Sequence, residues 1–231
     1  MPYFYYGIDP YYIILVLPAI VLCTIAQIAV KSTFSKFSKK QSMLSGAEAA
    51  ERVLRANGIY DVEVQRVSGN LTDHYDPKKN VIRLSEAVYD AHTVAAVGVA
   101  AHEAGHAVQY AKSYSPIKIR TAIYPVCNIG SQLSLPLILL GLAFNFPVLA
   151  QVGVVFFAAA LIFQLVTLPV EFNASRRAIT AIRENNILLD DSEINSARKV
   201  LTAAAFTYIT AFLLSLMQLL RLLLLINRRR R

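Results

Sequence analysis

Val99-Ala-Ala-His102-Glu103-Ala-Gly-His106-Ala-Val-Gln109 sets two histidines four residues apart in a run of otherwise small and apolar residues. On a helix, positions i and i+4 share a face. Two imidazoles so placed can chelate a single Zn²⁺, and Glu103, one residue off, can reach water at the metal as a general base. A His-Glu-His cluster buried in an apolar segment without a metal would be costly.

The flanking sequence predicts how the motif is delivered. Ser85 reads as an N-cap with Glu86 in the first turn, and residues 85–110 contain no proline. One long helix over 85–110 is expected, buried toward its C-terminal end. Catalytic zinc takes three protein ligands. The chain has four histidines, none beyond His106. His92 lies ten residues before His102, roughly 15 Å along the same helix, and is too far. The third ligand is therefore expected among the carboxylates Glu171, Glu184, Asp190, Asp191 and Glu193. Glu171 stands apart, directly after an apolar run that ends Leu-Pro-Val. The other four sit in or beside the polar turn 183–193 and read as solvated residues or caps.

Three stretches carry a family resemblance: Leu71-Thr-Asp-His-Tyr-Asp-Pro77, Val99–Gln109, and Pro169-Val-Glu-Phe-Asn-Ala-Ser-Arg-Arg-Ala178. Together they resemble the small bacterial YugP-type zinc metallopeptidases of the membrane. More distantly, the pair of histidines with Glu171-Phe-Asn-Ala-Ser175 is similar to the gluzincin arrangement of HtpX/Ste24-type membrane proteases. The resemblance implies His102, His106 and Glu171 as ligands of one Zn²⁺ per chain and Glu103 as catalytic base. It also implies a departure: the HtpX/Ste24 pattern has Asp where this chain has Ser175. Orientation of a ligand imidazole then falls to Ser175 or to Asn173. His74 is a candidate for substrate contact or ligand support, beside the reading of a plain surface histidine. Tyr208 is a candidate oxyanion donor of the gluzincin kind, beside the reading of a core tyrosine.

Composition points to a membrane. Of 231 residues, 55% are hydrophobic and 16% charged, against roughly 25% charged in a soluble domain. Apolar runs at 11–30, 121–143 and 147–170 each approach a bilayer-spanning length. The uncharged turn 144–147 makes the last two a hairpin. Within it, Asn128, Gln132 and Gln151 are expected to face protein. A fourth run, 201–226, is interrupted by Arg221 and either spans or enters only the inner leaflet. A signal peptide is the rival reading of 11–30, but no positive n-region precedes that run. Residues 1–12 lack Lys and Arg, whereas basic clusters follow at 31–40, 112–120 and 176–177. The positive-inside rule then sets the N-terminus outside and the segment 31–120 in the cytoplasm. The net charge of +8 lies mainly beside apolar spans, so anionic lipid is the expected partner rather than nucleic acid. Cys23 and Cys127 both fall in apolar runs and imply neither a disulfide nor a cysteine metal site.

Residues 41–84 form the soluble stretch. Ser45-Gly-Ala-Glu48 is a capping box, and Gly58 closes the helix it opens. Residues 60–67 alternate like a strand, 68–70 make a turn, and 80–84 form a second strand leading to the motif helix. That second strand is the candidate edge for pairing with extended substrate, beside the reading of a strand that is merely structural. The expected fold is a mainly α integral membrane protein with a small α+β zincin-like core, arranged as one domain over 1–231. The expected function is a zinc-dependent membrane endopeptidase acting on a peptide or membrane-protein substrate. A further membrane-protein partner or a homo-oligomer is compatible with this reading. The alternatives are a non-catalytic zinc-binding membrane scaffold, which would not need Glu103, and a hydrolase of a non-peptide amide.

Overall fold

The computed structural model describes residues 9–69 and 71–229, with side chains to residue 225. Residues 1–8, Asn70 of the expected turn, and the side chains of Arg228 to Arg231 lie outside the described residues. The chain is mostly helical. In order it forms α1 (Leu17–Phe37, after a π-helical turn Tyr12–Val16), α2 (Gly46–Ala56), β1 (Glu63–Val67), β2 (His74–Asp76), β3 (Val81–Ser85), α3 (Val94–Ala111), α4 (Ser115–Ala143), α5 (Pro147–Glu184) and α6 (Asp191–Arg229). Two compact units emerge. Among the described residues, one contains those up to Ala26, Arg120–Val166 and those from Thr207; the other contains Gln27–Ile119 and Thr167–Phe206.

The first unit is built from the apolar runs. Four helices, at 12–37, 115–143, 147–184 and 191–225, are long and apolar enough to cross a membrane. Their outward faces carry Ile14, Ile28, Val126, Ile129, Val155 and Ile162, all well exposed. Apolar side chains exposed in this way are what lipid, not water, would cover. The hairpin turn falls where the sequence puts it, with Asn145 at φ 49° and Pro147 opening α5. One expectation fails here. Asn128 and Gln132 are exposed rather than turned to protein, because the face of α4 that packs inward is the one through Cys127, Ser134 and Ile138. Arg221 is also not free to reach lipid phosphate. Its Nε donates to Asp9 Oδ2 at 2.6 Å, and its guanidinium lies 5.1 Å from the Tyr12 ring centroid.

The second unit holds α2, the sheet and α3 around one core. Ala49, Ala50, Val53 and Leu54 of α2 pack with Ile82 and Leu84 of β3 and with Val97, Ala100, Ala101 and Ala104 of α3. Each buried Val, Leu or Ile there contributes about 1.5–3 kcal/mol. Both arms of the capping box are present: Glu48 N–H donates to Ser45 Oγ, and Ser45 N–H donates to Glu48 at 2.7 Å. Gly58, at φ +73°, ends the helix as a left-handed stop.

Two expectations are corrected here. The sheet has three strands in the order β1-β3-β2, with β1 parallel and β2 antiparallel to β3. Strand β3 is therefore central and buried, and the open edges belong to β1 and β2. The candidate substrate edge at 80–84 has no free backbone side. The second correction concerns the motif helix, which starts at Val94 and not at Ser85. Ser85 ends β3 with its N–H and hydroxyl donated to the Asp73 carboxylate, at 2.7 and 3.1 Å. Thr93 is the actual N-cap, its hydroxyl accepting from Ala96 N–H at 3.3 Å.

Candidate metal centre

Helix α3 presents His102 and His106 on one face, as their spacing requires. Their rings meet edge-on with centroids 4.8 Å apart. Helix α5 brings the third group. Glu171 is buried, and its Oε2 lies 3.3 Å from His102 Nε2 and 3.6 Å from His106 Nε2. The approach of α5 depends on Gly105, which sits between the two histidines. A Cβ there would stand 2.7 Å from the Ala174 carbonyl oxygen, so only glycine lets the helices come this close.

The outer nitrogens of both imidazoles are engaged. His102 Nδ1 lies 3.1 Å from Ser175 Oγ. His106 Nδ1 lies 3.0 Å from Gln109 Oε1. Gln109 is itself held, its Nε2 donating to the Val170 carbonyl at 2.7 Å and to Asn173 Oδ1 at 3.0 Å. With both amide protons committed, Gln109 can only accept from His106 Nδ1–H, which leaves Nε2 of the neutral ring as a lone pair facing Glu171. Asn173 Oδ1 also accepts from Arg177 Nε at 2.7 Å, and the Arg177 guanidinium lies 5.8 Å from the Tyr114 ring centroid.

The donor set fits zinc. Bonds of about 2.1 Å at tetrahedral angles set ligand atoms roughly 3.4 Å apart. The two separations to Glu171 bracket that value, and all three donors lie within 4.8 Å of one another. Burial works against a charge on His106. The Glu171 carboxylate, the charge of Glu103 and the bond to Gln109 outweigh it, and hold the imidazole above its ordinary 6.5. A metal ion at this position would take the place of that proton.

The remaining sequence candidates fall as follows. Glu103 is buried on α3 beside His102. Ser175 Oγ stands beside His102 Nδ1, and Asn173 reaches the cluster through Gln109, which stands beside His106 Nδ1. Gln109 was missed by sequence reasoning, although a polar side chain three residues after His106 on an apolar helix face was a usable signal. His74 stands exposed on β2, near the Thr72 carbonyl at 2.8 Å and Arg83 at 3.3 Å, outside the cluster. His92 lies at the surface beside the Met43 carbonyl. Tyr208, 40% exposed, belongs to the helical unit on α6. Among the other carboxylates, Asp190 accepts from Ser192 N–H at the start of α6, and Asp191 lies 3.5 Å from Arg183.

The structure thus sets a cluster of two histidines and a glutamate that could hold a metal ion in a chain with four helices long and apolar enough to cross a membrane. The family model described as "Putative neutral zinc metallopeptidase" matches residues 12–227, and the chain belongs to that family. It is 47% identical over 212 residues to the "Putative membrane protease YugP" of Bacillus subtilis, covering 91% of this chain and 94% of that one. No solved structure matches.

Proposed function

We propose that the protein is a multi-pass membrane zinc endopeptidase with a zincin-like core, in which His102, His106 and Glu171 hold one Zn²⁺ and Glu103 is the general base. The observation that carries this reading is the spacing of both Nε2 atoms about the Glu171 carboxylate, with each Nδ1 occupied by a neighbour. Zinc held there would polarise a carbonyl and lower the pKa of a water molecule.

The chain's own residues supply the rest. Glu103 takes a proton from the attacking water as the new C–O bond forms. It returns that proton to the amine nitrogen as the C–N bond breaks. Ser175 and Gln109 hold the imidazoles in the tautomer that leaves Nε2 available.

Topology follows from charge and from one ion pair. Because the hairpin 121–170 separates the motif helix from Glu171 by an even number of crossings, both lie on one side, which the basic clusters make cytoplasmic. From residue 201 to Arg221 is about 30 Å of helix, one bilayer core. The pairing of Arg221 with Asp9, at the start of the first span, supports α6 as a fourth span that ends on the outer side.

Metal analysis joined to a fragment comparison tests the reading. Wild-type protein is expected to hold one zinc, Glu171→Ala to lose it, and Glu103→Gln to keep it while cleaving nothing. Full zinc in Glu171→Ala, or undiminished cleavage by Glu103→Gln, would overturn the assignment.

A further inference from the structure

Helices α5 and α6 form a hairpin, and between its arms lies a cavity of about 520 Å³ inside the unit that holds the metal cluster. Its lining is graded along the helices. Phe172, Leu201 and Ala205 make one end apolar. Arg176, Arg183 and Arg198 bring three cations to the wall, against the carboxylate of Glu184 in the lining and that of Asp191, 3.5 Å from Arg183 at the outer end. The order matters. Helix α5 leaves its apolar run at 170 and rises 1.5 Å per residue, so Phe172 stands roughly 3 Å beyond that run and Arg183 roughly 20 Å beyond. Helix α6 returns in the opposite sense, from Arg198 toward its own apolar run. The groove therefore passes from apolar to cationic in the direction that leads out of a bilayer.

We propose that this groove seats an anionic phospholipid, with its phosphate among Arg176, Arg183 and Arg198 and an acyl chain along Phe172, Leu201 and Ala205. Charge complementarity and continuity with the apolar spans select this occupant. A free phosphate would use the arginines but leave 41%-exposed Phe172 and its apolar neighbours uncovered. An acidic peptide would not need the gradient from span to surface. Basic pockets beside membrane helices collect anionic headgroups for the same reason, since apolar contact and charge act on one molecule. Ser175 also lines this groove while its hydroxyl lies 3.1 Å from His102 Nδ1, so the lipid seat and the metal cluster share a side chain.

Native mass spectrometry of the full chain, delipidated and then offered equal phosphatidylglycerol and phosphatidylcholine, tests the proposal without any activity. Phosphatidylglycerol should be retained preferentially, with each arginine worth about five-fold in occupancy. Arg176→Gln with Arg198→Gln should erase most of that preference, whereas Arg52→Gln, at an exposed position on α2, should not. Thr202→Glu, which places a carboxylate in the groove and removes no arginine, should lower it as well. The proposal is overturned if wild-type protein shows no preference, or if the preference survives both groove variants. It is equally overturned if inorganic phosphate binds as well as the lipid, or if polyglutamate displaces the lipid.

Discussion

Gln109 fixes His106: its Oε1 lies 3.0 Å from His106 Nδ1, while its amide nitrogen bridges the Val170 carbonyl and Asn173. One fully buried side chain thus ties the second histidine of the motif to the stretch of α5 that carries Glu171. Gln109→Leu keeps the approximate volume and removes both connections. The His106 N–H is left buried without an acceptor, at a cost of about 1–3 kcal/mol. Zinc affinity is expected to fall about 10–100-fold, as for other lost supports of a ligand imidazole. Chelator competition measures it, and an unchanged affinity would show that Gln109 does not orient the ring.

Gly105→Ala tests the close approach of α3 and α5. The added methyl would sit 2.7 Å from a backbone carbonyl, which cannot rotate away, so α5 has to move. Overpacking of this kind costs about 1–3 kcal/mol. Because the displaced segment carries Glu171, zinc retention should drop together with thermal stability. By contrast, Gly98→Ala, whose Cβ would lie 3.4 Å from the Ala197 side chain, should leave both nearly unchanged. Equal behaviour of the two variants would remove Gly105 from the account of the site.

The metal-free protein should lose stability as the pH rises. His106 has its folded-state pKa raised above 6.5, with burial opposed and outweighed by Glu171, Glu103 and Gln109. A raised pKa contributes stability that is fully present below the unfolded value and lost as pH climbs through the folded one. Melts with chelator should therefore show a lower transition at about pH 9 than at about pH 6. With zinc present the trend should reverse, because the metal competes with the same proton and binds more tightly as it leaves. Parallel curves with and without zinc would mean that His106 does not couple to the metal.

Much of this arrangement was legible in the sequence, and the exceptions have a common cause. The motif, the apolar runs and the capping box are local signals, set by spacing along one segment, and they reappear as α3, the four long helices and α2. What escaped depends on partners distant in sequence. Ser85 looked like an N-cap because the preference of serine for that position is local, but Asp73 claims both its donors and moves the helix start to Thr93. Strand β2 was hidden in a turn-rich stretch, since three residues make no periodicity; with it missing, β3 passed for an edge. The expectation for Asn128 and Gln132 rests on the cost of polar groups in lipid, which says nothing about which face of α4 packs. Gln109 ties its near neighbour His106 to Val170 and Asn173, and Asp9 meets Arg221, through partners far along the chain.

The pairing of Asp9 with Arg221 predicts where the chain ends. If α6 crosses, Asp9 and Arg221 share the outer side, and a cysteine placed after Arg231 is labelled from outside by an impermeant reagent. A probe near residue 65, on the side of the metal cluster, should label only after permeabilisation. Asp9→Asn should loosen the last span, because it leaves the Arg221 cation with, among the described residues, the Tyr12 ring and Gln218 beside it. An unpaired charge in a span is costly, about 2.5–3.5 kcal/mol on insertion scales. The variant's terminal probe should therefore label less completely, and the double variant Asp9→Asn with Arg221→Leu should restore full labelling by removing the charge. Labelling of residue 65 from outside would reverse the whole orientation. Protection of the C-terminal probe in the wild type would instead confine α6 to the inner leaflet and leave the Asp9 pair without its topological meaning.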